Sequence, residues 1–183
     1  MVLVAITGAS GVELAVILLN QLKKHGKTTE LVITEVAKKI ISIETEHNVA
    51  DIIELSDKYY EVDDLTAGPA SGSYKNNIMV IIPCSMKTLA AIANGYADNL
   101  ITRAADVIIK ERRKLILVVR ESPFSAIHLE NMLKLSRLGV IIAPPIPSYY
   151  KKPKNIEELN EYFIGRILDQ IGIDSGIKRW GDK

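Results

Sequence analysis

The sequence is poor in cysteine, in excess charge and in long apolar runs. It has one cysteine among 183 residues, so no disulfide can form within the chain. A formal net charge of +1 lacks the basic excess typical of nucleic-acid-binding proteins. No apolar run approaches the roughly 20 residues that span a bilayer, and no basic leader precedes the first apolar run. We therefore expect a soluble, cytoplasmic chain that binds neither nucleic acid nor membrane.

Two nucleotide-binding motifs and a metal site are also missing. The turn at residues 7–11, TGASG, has two glycines but lacks the full Gly-x-Gly-x-x-Gly spacing, and no P-loop lysine follows it. It could present helix amides to a phosphate, or it could be a tight turn without a ligand. His25, His47 and His128 show no metal-ligand spacing, so we expect no metal. Cys84 has no neighbouring base, which favours a semi-buried thiol over a nucleophile.

Short apolar runs alternate with helical patterns along the chain. The predicted strands are residues 2–6, 30–33, 78–82, 115–119 and 140–143. The predicted helices end at Lys24, span residues 35 to about 46, open after Ser85, and cover residues 125–138 and 156–171. This alternation predicts an α/β three-layer sandwich around a mainly parallel sheet. Without a repeat or a linker, a chain of this length and 48% hydrophobic content predicts one domain over residues 1–183.

The most informative stretch is residues 81–123, because two strand-like runs in it end in polar residues. After the first run, Ser85, Lys87 and Thr88 open an Ala-rich helical pattern. The second run ends directly in Arg120 and Glu121. Ligands of open α/β sheets bind outside the carboxyl ends of the strands, so both clusters should meet at one edge. The sequence therefore predicts a site for a phosphorylated ligand.

Other polar residues leave two interpretations open. Arg103 and Lys110 lie about two helical turns apart and could reach one anion, or they could belong to a solvated face. Arg120 could bind a ligand or form a structural salt bridge. Glu44 is either an exposed carboxylate or a proton-transfer group. Trp180, the only tryptophan, either packs on a neighbour or roofs a ligand.

Several segments together resemble the UbiX-type flavin prenyltransferase family over nearly the whole chain. They are TGASG, ASGS, PCSMKTLAAIANGYADNLITRAADV, KERRKL, the Arg-Glu-x-Pro segment, HLENMLKLSRLGV, PPIPSYY and the terminal Arg-Trp. The resemblance implies a Rossmann-like or flavodoxin-like homo-oligomer, typically a dodecamer, that binds FMN. It implies transfer of a dimethylallyl group from dimethylallyl phosphate to reduced FMN. The prenylated FMN would then serve a UbiD-type decarboxylase.

Motifs shared with the family indicate which residues of this chain correspond to the family's site. The implied FMN contacts are Gly8, Ala9, Ser10, Thr34, Ser85, Met86, Lys87, Thr88 and Arg120. The implied prenyl phosphate contacts are Ser10, Arg103, Lys110, Tyr150 and Arg166, and the implied catalytic residues are Glu44, Lys110, Glu121 and Trp180. Thr34 stands where relatives carry serine and keeps the hydroxyl, while Leu14 and Ala15 replace a tyrosine-glycine pair.

These roles agree with the chemistry of allyl transfer. Breaking the allylic carbon–oxygen bond builds negative charge on the phosphate and positive charge on the allyl fragment. Arg103, Lys110, Arg166 and Tyr150 meet the first demand, and reduced flavin and Trp180 meet the second. The flavin then loses a ring proton, which Glu44 or the released phosphate could accept.

Two rival functions remain at the level of sequence. A flavin-dependent cysteine decarboxylase of related fold needs a well-placed catalytic histidine, and its Pro-x-Met-Asn element is replaced here by PPIPSYY. A non-catalytic subunit that only carries FMN needs a single phosphate site. The additional bases Arg103, Lys110 and Arg166 argue against such a carrier.

Overall fold

The computed structural model of the protein describes residues 1–181, which fall into two compact units. The first unit runs from Met1 to Pro144, and the second begins at Pro145. The single domain predicted for residues 1–183 stays a prediction, and its last two residues lie outside the described ones. Within the described part of the chain, no helix is long and apolar enough to cross a membrane.

A six-stranded sheet forms the centre of the first unit. The strands are β1 (Val2–Ile6), β2 (Thr29–Ile33), β3 (Lys58–Tyr60), β4 (Ile78–Cys84), β5 (Lys114–Val119) and β6 (Ile141–Ile142). Their order in the sheet is β3-β2-β1-β4-β5-β6, and every neighbouring pair is parallel. All residues of β1 and β2 are buried, as expected for parallel strands that are covered on both faces.

Helices cover both faces of this sheet. The helices of the chain are α1 (Glu13–Lys24), α2 (Glu35–Glu44), α3 (Val49–Ile53), α4 (Met86–Ala93), α5 (Leu100–Lys110), α6 (Ala126–Arg137) and α7 (Ile156–Gln170). One face packs through Leu3, Met79 and Leu117 against α4, α5 and α6 in a single apolar core. Helix α1 contacts β1, β2 and β4 through buried leucines. The predicted α/β three-layer sandwich with a mainly parallel sheet is confirmed.

Several strand boundaries differ from the predictions. Pro83, predicted to end its strand, lies inside β4. The register of β4 with β5 shifts between Ile81 and Cys84, so the missing N–H of the proline falls at an irregular position of the ladder. Strand β3 was not predicted, because three residues carry too little periodicity. The predicted strand at residues 140–143 shortens to β6.

A side-chain cap and two glycines mark several of the helix ends. The Thr34 side chain accepts a hydrogen bond from the Ala37 amide and caps α2, which begins at Glu35 as predicted. Helix α2 ends at Glu44, two residues before the predicted end, because Thr45 turns to extended backbone. Gly26 and Gly139 follow α1 and α6 with φ of +62° and +87°, the left-handed conformation that glycine adopts most easily.

Candidate functional site

The candidate site is a cavity at the carboxyl edge of the sheet. Strands β1 and β4 lie side by side, and the chain leaves β1 toward β2 and β4 toward β5. A crevice opens where the winding direction reverses in this way. The cavity there has a volume of about 580 Å³, within the range of small-molecule and cofactor sites.

Residues from the ends of four strands line this cavity. The predicted cofactor-binding residues among them are Gly8, Ala9, Ser10, Thr34, Ser85, Met86, Lys87, Thr88 and Arg120. The predicted catalytic residues Glu44 and Glu121 line it as well. The lining residues that sequence reasoning missed are Val36, Ile40, Ala91, Asp98, Asn99 and Thr102. The structure therefore brings all nine predicted cofactor-binding residues together, while their binding roles stay predictions.

Thr7 joins the two central strands beneath the cavity. Its side-chain oxygen donates to the carbonyl of Pro83 at 2.8 Å and accepts from the Ser85 amide at 2.8 Å. The Thr7 amide also donates to the Pro83 carbonyl at 3.3 Å. Because Thr7 is fully buried, these bonds hold the TGASG turn and the start of α4 in a fixed relation. Its position directly after β1 was the available sequence signal for this role.

The positive ends of three helices meet at the cavity. Ser85 caps α4 by accepting from the Thr88 amide at 3.3 Å, and Thr34 caps α2. Asn99 caps α5 and exchanges hydrogen bonds with Thr102 in a capping box. Each helix N-terminus carries a partial positive charge, so this edge favours an anion. The spacing Asn99-x-x-Thr102 was the sequence signal that could have added α5 to the site.

Glu44 is the last residue of α2, but its carboxylate lies at the N-terminus of α1. Its Oε2 accepts from the amides of Gly11 at 2.8 Å and Val12 at 3.4 Å. Burial opposes ionisation of this carboxyl, but hydrogen bonds from the Ser10 hydroxyl and these two amides, with the nearby Arg120 charge, hold the pKa of Glu44 below its ordinary value. Sequence analysis left open whether the helix start after this turn presents its amides to a phosphate; in the structure the Gly11 and Val12 amides bind the Glu44 carboxylate.

One wall of the cavity is apolar and fits closely against the first turn. Val36, Ile40, Met86 and Ala91 contribute hydrocarbon to it. A Cβ on Gly8 would lie 2.7 Å from Val36 Cγ1, so no side chain fits at position 8. The turn and α2 can therefore approach closely only with glycine there. The cavity combines an apolar wall with a rim of helix N-termini, Lys87 and Arg120.

Arg103 and Lys110, two of the implied prenyl phosphate contacts, do not line this cavity. Both lie on α5, beside the loop Ala70-Ser71-Gly72-Ser73. The Arg103 Nε donates to the Ala70 carbonyl at 3.1 Å, and Nη1 pairs with Asp106 at 2.9 Å. The Lys110 ammonium pairs with Glu111 and lies next to Gly72. We call Arg103 and Lys110 the α5 basic pair.

Hydrogen bonds from two side chains, Arg113 and Tyr74, hold the loop that precedes β4. The guanidinium of Arg113 donates to the carbonyls of Gly72 at 2.7 Å, Tyr74 at 2.7 Å and Asn76 at 3.0 Å. The Tyr74 hydroxyl donates to the buried carboxylate of Glu30. The backbone beside the α5 basic pair is therefore fixed from both sides.

The second unit holds the remaining predicted residues. Tyr150 and Trp180 meet edge to face with their ring centroids 4.9 Å apart. The Tyr150 and Tyr162 hydroxyls are 2.6 Å apart, and this hydrogen bond lowers the pKa of Tyr150. Arg166 pairs with Asp169 at 3.1 Å and contributes its charge near Tyr150. The unit thus gathers a tyrosine hydroxyl, an arginine and a largely exposed indole.

None of the three histidines lines the cavity in the described part of the chain. The His25 ring contacts the Gln21 carbonyl, His47 lies 3.9 Å from Glu13, and His128 belongs to the capping box of α6. Cys84 is fully buried, and burial raises the pKa of its thiol, which keeps it protonated. The thiol predicted to be semi-buried is thus completely buried, because Cys84 is the last residue of the central strand β4.

The residues of the cavity fit a flavin mononucleotide. The helix N-termini, Lys87 and Arg120 offer donors and positive charge to a phosphate. Val36, Ile40 and Met86 provide a surface against which a flat ring system can lie. Hydroxyl and amide groups of Ser10, Thr34 and Asn99 border the space between these two regions.

Comparisons with known proteins agree with this architecture. The sequence model of the Flavoprotein family matches residues 1–168. The flavin prenyltransferase UbiX of Methanocaldococcus jannaschii is 53% identical over 98% of both chains. A crystal structure of AnUbiX (PadA1) in complex with FMN and dimethylallyl pyrophosphate superposes with a TM-score of 0.97 at 43% identity, covering 98% of this chain and 96% of that one. The dodecameric FMN-dependent UbiX-like decarboxylase from Escherichia coli O157:H7 superposes with a TM-score of 0.94 at 44% identity, covering 98% and 99%. The chain therefore belongs to the UbiX-type flavin prenyltransferase family.

Proposed function

We propose that this protein is a flavin prenyltransferase that joins a dimethylallyl group from dimethylallyl phosphate to reduced FMN. The observation that carries the proposal is the cavity at the switch point of the sheet, which joins phosphate-binding groups to an apolar wall. The high identity to a named flavin prenyltransferase over the full chain supports the same reaction. When bound, reduced FMN supplies the nucleophilic ring nitrogen that accepts the allyl group.

The chain positions the acceptor through its first unit. Gly8, Ala9 and Ser10 provide a turn against which the nucleotide lies, and Thr34 and the first turn of α4 contribute hydroxyl and amide donors. Arg120 adds a permanent positive charge at the end of β5. Val36, Ile40 and Met86 exclude water from one side of the ring system.

The donor phosphate needs a second set of cations, which the first cavity does not contain. We assign this role to Ser10, the α5 basic pair, Tyr150 and Arg166. Positive charge near the departing oxygen stabilises the negative charge that develops as the allylic bond breaks. Lys110 and Tyr150 can also deliver a proton or hydrogen bond to that oxygen. Trp180 offers a π face to the positive allyl fragment and no nucleophile that would trap it.

The α5 basic pair lies outside the cavity of its own chain, so we propose that a neighbouring copy supplies it. A related UbiX-like protein is a dodecamer, and we propose a homo-oligomer of the same size for this chain. A homo-oligomer can build one site from residues of two chains. The loop at residues 70–76 is held rigidly beside the pair by Arg113 and by the Tyr74–Glu30 contact. A fixed surface of this kind is suited to complete a neighbour's site.

Glu44 and Glu121 complete the catalytic set. The lowered pKa of Glu44 means that its carboxylate is ionised at neutral pH. It can accept a proton while it holds the first turn through Gly11 and Val12. Glu121 lies at the cavity rim, where its Oε1 accepts from the Ser122 amide at 2.9 Å. No residue assignment in this scheme requires a metal ion.

The rival functions are less well supported. A flavin-dependent cysteine decarboxylase needs a histidine near the substrate, and within the described residues no histidine borders the cavity. A non-catalytic FMN carrier has no need for Tyr150 and Arg166 as a second group of phosphate ligands. We further propose a UbiD-type decarboxylase as recipient of the product, and the cytoplasm as the location.

Mass spectrometry of the flavin tests the reaction. The protein is incubated without oxygen with reduced FMN and dimethylallyl phosphate, and the flavin is extracted. The expected product is heavier than FMN by one five-carbon prenyl unit, and omission of the phosphate donor should leave FMN unchanged. Folded, FMN-loaded protein that returns only FMN would refute the prenyltransferase and favour the carrier. Release of carbon dioxide from a peptide ending in cysteine would favour the decarboxylase.

A further inference from the structure

The Tyr150 hydroxyl belongs to a cluster of three side chains within the second unit. Tyr150 and Lys151 lie in the short 3₁₀-helix Tyr149–Lys151, and Tyr162 lies in α7. The Tyr150 and Tyr162 hydroxyl oxygens are 2.6 Å apart, and the two rings meet edge to face with their centroids 6.1 Å apart. The Lys151 ammonium lies over both rings, 5.6 Å from the Tyr150 centroid and 4.9 Å from the Tyr162 centroid. Of the three residues, only Tyr150 has a role in the proposed reaction.

Tyr162 and Lys151 are held in place, whereas Tyr150 has an open side. Tyr162 is half-buried in α7, and the Lys151 ammonium donates to the Lys178 carbonyl. The Tyr150 ring packs between Tyr162 and Trp180, and it meets each of them edge to face. Tyr150 nevertheless stays 49% exposed. The cluster therefore combines a fixed inner hydroxyl with an outer tyrosine that a ligand can reach.

Neighbouring charges favour one direction for the hydrogen bond between the two hydroxyls. The bond from Tyr162 is the main cause that holds the pKa of Tyr150 below its ordinary value of 10.0, and the Ser148 side chain and the charges of Lys151 and Arg166 act in the same sense. Burial and the same hydrogen bond raise the pKa of Tyr162. Tyr150 is thus the better acceptor, and Tyr162 is the donor. A hydroxyl that accepts a hydrogen bond becomes a stronger donor in turn.

We propose that Tyr162 and Lys151 are positioning residues, which hold the Tyr150 hydroxyl so that its proton is free to donate to the departing phosphate oxygen of the prenyl donor. The inference rests on the proposed prenyl transfer and on the phosphate role assigned to Tyr150. Because Tyr162 donates to the Tyr150 oxygen, the Tyr150 O–H is left for the phosphate. This hydrogen bond strengthens as negative charge develops on the departing oxygen, so it stabilises the transition state more than the bound donor. Tyr150 contributes a hydrogen bond and no covalent step.

Single-turnover prenylation of FMN by Y162F tests the proposal, because this variant loses one hydroxyl and keeps the ring. At saturating dimethylallyl phosphate we expect a rate constant about three- to tenfold below that of the wild type, the effect of one hydrogen bond. The donor concentration for half-saturation and the affinity for FMN should change by less than about twofold. Y59F is the matched control, since Tyr59 in the first unit loses a similar bond, to Glu61 at 3.0 Å, and it should react like the wild type. An unchanged rate constant in Y162F, or a loss confined to donor binding, overturns the proposal.

The pH profile of this rate distinguishes positioning from a general loss of structure. Tyr150 must keep its proton to donate, so the wild-type rate should fall as the pH rises through a pKa below 10.0. Y162F and K151Q each remove a cause of the lowered pKa, so both should move this alkaline decline to higher pH. K152Q, at the exposed neighbouring lysine, should leave it in place. The other charged groups around the two tyrosines stay unchanged in these variants; they are Arg166, Asp169, Arg179, Glu158, Glu161 and Lys178. A decline at the same pH in wild type, Y162F and K151Q overturns the proposal.

An ultraviolet titration of the FMN-loaded protein without the prenyl donor measures the same pKa independently of activity. The first phenolate absorbance to appear as the pH rises should be missing from Y150F and should appear at higher pH in Y162F, while circular dichroism verifies that each variant is folded. A wild type that shows this early titration but makes no prenylated flavin would refute the proposed function and leave the tyrosine contact standing. A wild type that prenylates FMN, with the same titration in Y162F, would refute the role of Tyr162 and leave the proposed function standing.

Discussion

At the scale of single residues, Glu44 connects the first turn with the cavity. Its carboxylate accepts from the Gly11 and Val12 amides and at the same time borders the cavity. A charge at a helix N-terminus stabilises the helix by about 0.3–1 kcal/mol. The same charge is available to accept a proton from a reacting group. Sequence analysis left open whether Glu44 is an exposed carboxylate or a proton-transfer group; in the structure it is exposed and accepts hydrogen bonds just before α1, while the proton-transfer role stays a prediction.

We expect E44Q to lower the free energy of unfolding at neutral pH by about 0.3–1 kcal/mol, because the amide carries no charge for the α1 dipole. The folded-state pKa of Glu44 lies below its ordinary value of 4.5. The stabilisation from its charge is therefore present above pH 4.5 and is lost as the pH falls through the lowered folded pKa. Thermal unfolding of both proteins across this range measures the difference, which should shrink at acid pH.

E46Q is the matched control for this experiment, since Glu46 is exposed and lies two residues beyond the end of α2. It should unfold like the wild type at every pH. A difference between wild type and E44Q that stays constant down to the lowest pH would contradict the assigned role of the charge.

Single residues also show what the sequence could not supply. The nine predicted cofactor residues came from motifs that match the family, and the local pattern of strand ends and helix starts pointed independently to Ser85, Lys87, Thr88 and Arg120 among them. Asp98 and Thr102 were missed, since they reach the cavity only through the packing of α5 beside α4. Likewise, no local pattern connects Glu44 with Gly11, which lies 33 residues earlier. Contacts between residues so far apart in sequence become visible only in the tertiary structure.

At the scale of elements, each helix N-terminus at the cavity has its own cap. The sequence predicted the starts of α2 and α4, and the structure shows that Thr34 and Ser85 cap these two helices directly after β2 and β4. Strand β3 and helix α3 escaped prediction since they are short and lie in an irregular acidic segment. Neither of them lines the cavity. These two misses lie away from the candidate site, whereas helix α5, which the predicted helices also lack, brings Asn99 and Thr102 to the cavity.

We expect S85A to weaken FMN binding as well as stability. The change removes the cap of α4, which costs about 1 kcal/mol, and it deletes a hydroxyl from the cavity wall. S125A is a matched control, because Ser125 caps α6 with the same kind of bond to the His128 amide at 3.3 Å and does not line the cavity. Thermal unfolding and fluorescence titration with FMN measure the two effects.

Both variants should lose similar stability, while only S85A should raise the dissociation constant for FMN. Equal FMN affinity in S85A and S125A would mean that α4 contributes no more than a structural cap. An unstable S85A that still binds FMN like the wild type would lead to the same conclusion.

At the scale of the whole molecule, the cavity proposed for the acceptor and the α5 basic pair proposed for the donor lie in different places of the first unit. The cavity lies at the end of β1 and β4, whereas the α5 basic pair faces the loop at residues 70–76. A third group, with Tyr150, Arg166 and Trp180, belongs to the second unit. Under the proposed function, assembly of several copies would let one donor phosphate reach the proposed ligands. Sequence resemblance named the residues but could not tell which chain contributes each of them.

Mixed oligomers test this shared site directly. We expect E44Q and K110A to be strongly impaired alone, since one lacks the carboxylate in the cavity and the other lacks a donor cation. Co-expressed in equal amounts, they should form some sites in which a K110A chain provides Glu44 and an E44Q chain provides Lys110. If chains mix at random and each site uses two of them, about one quarter of the sites regain both groups. Prenylated flavin measured by mass spectrometry should rise to about that share of wild-type activity. Activity that stays at the level of the separate variants, in oligomers proven to contain both chains, would place Glu44 and Lys110 in the site of one and the same chain.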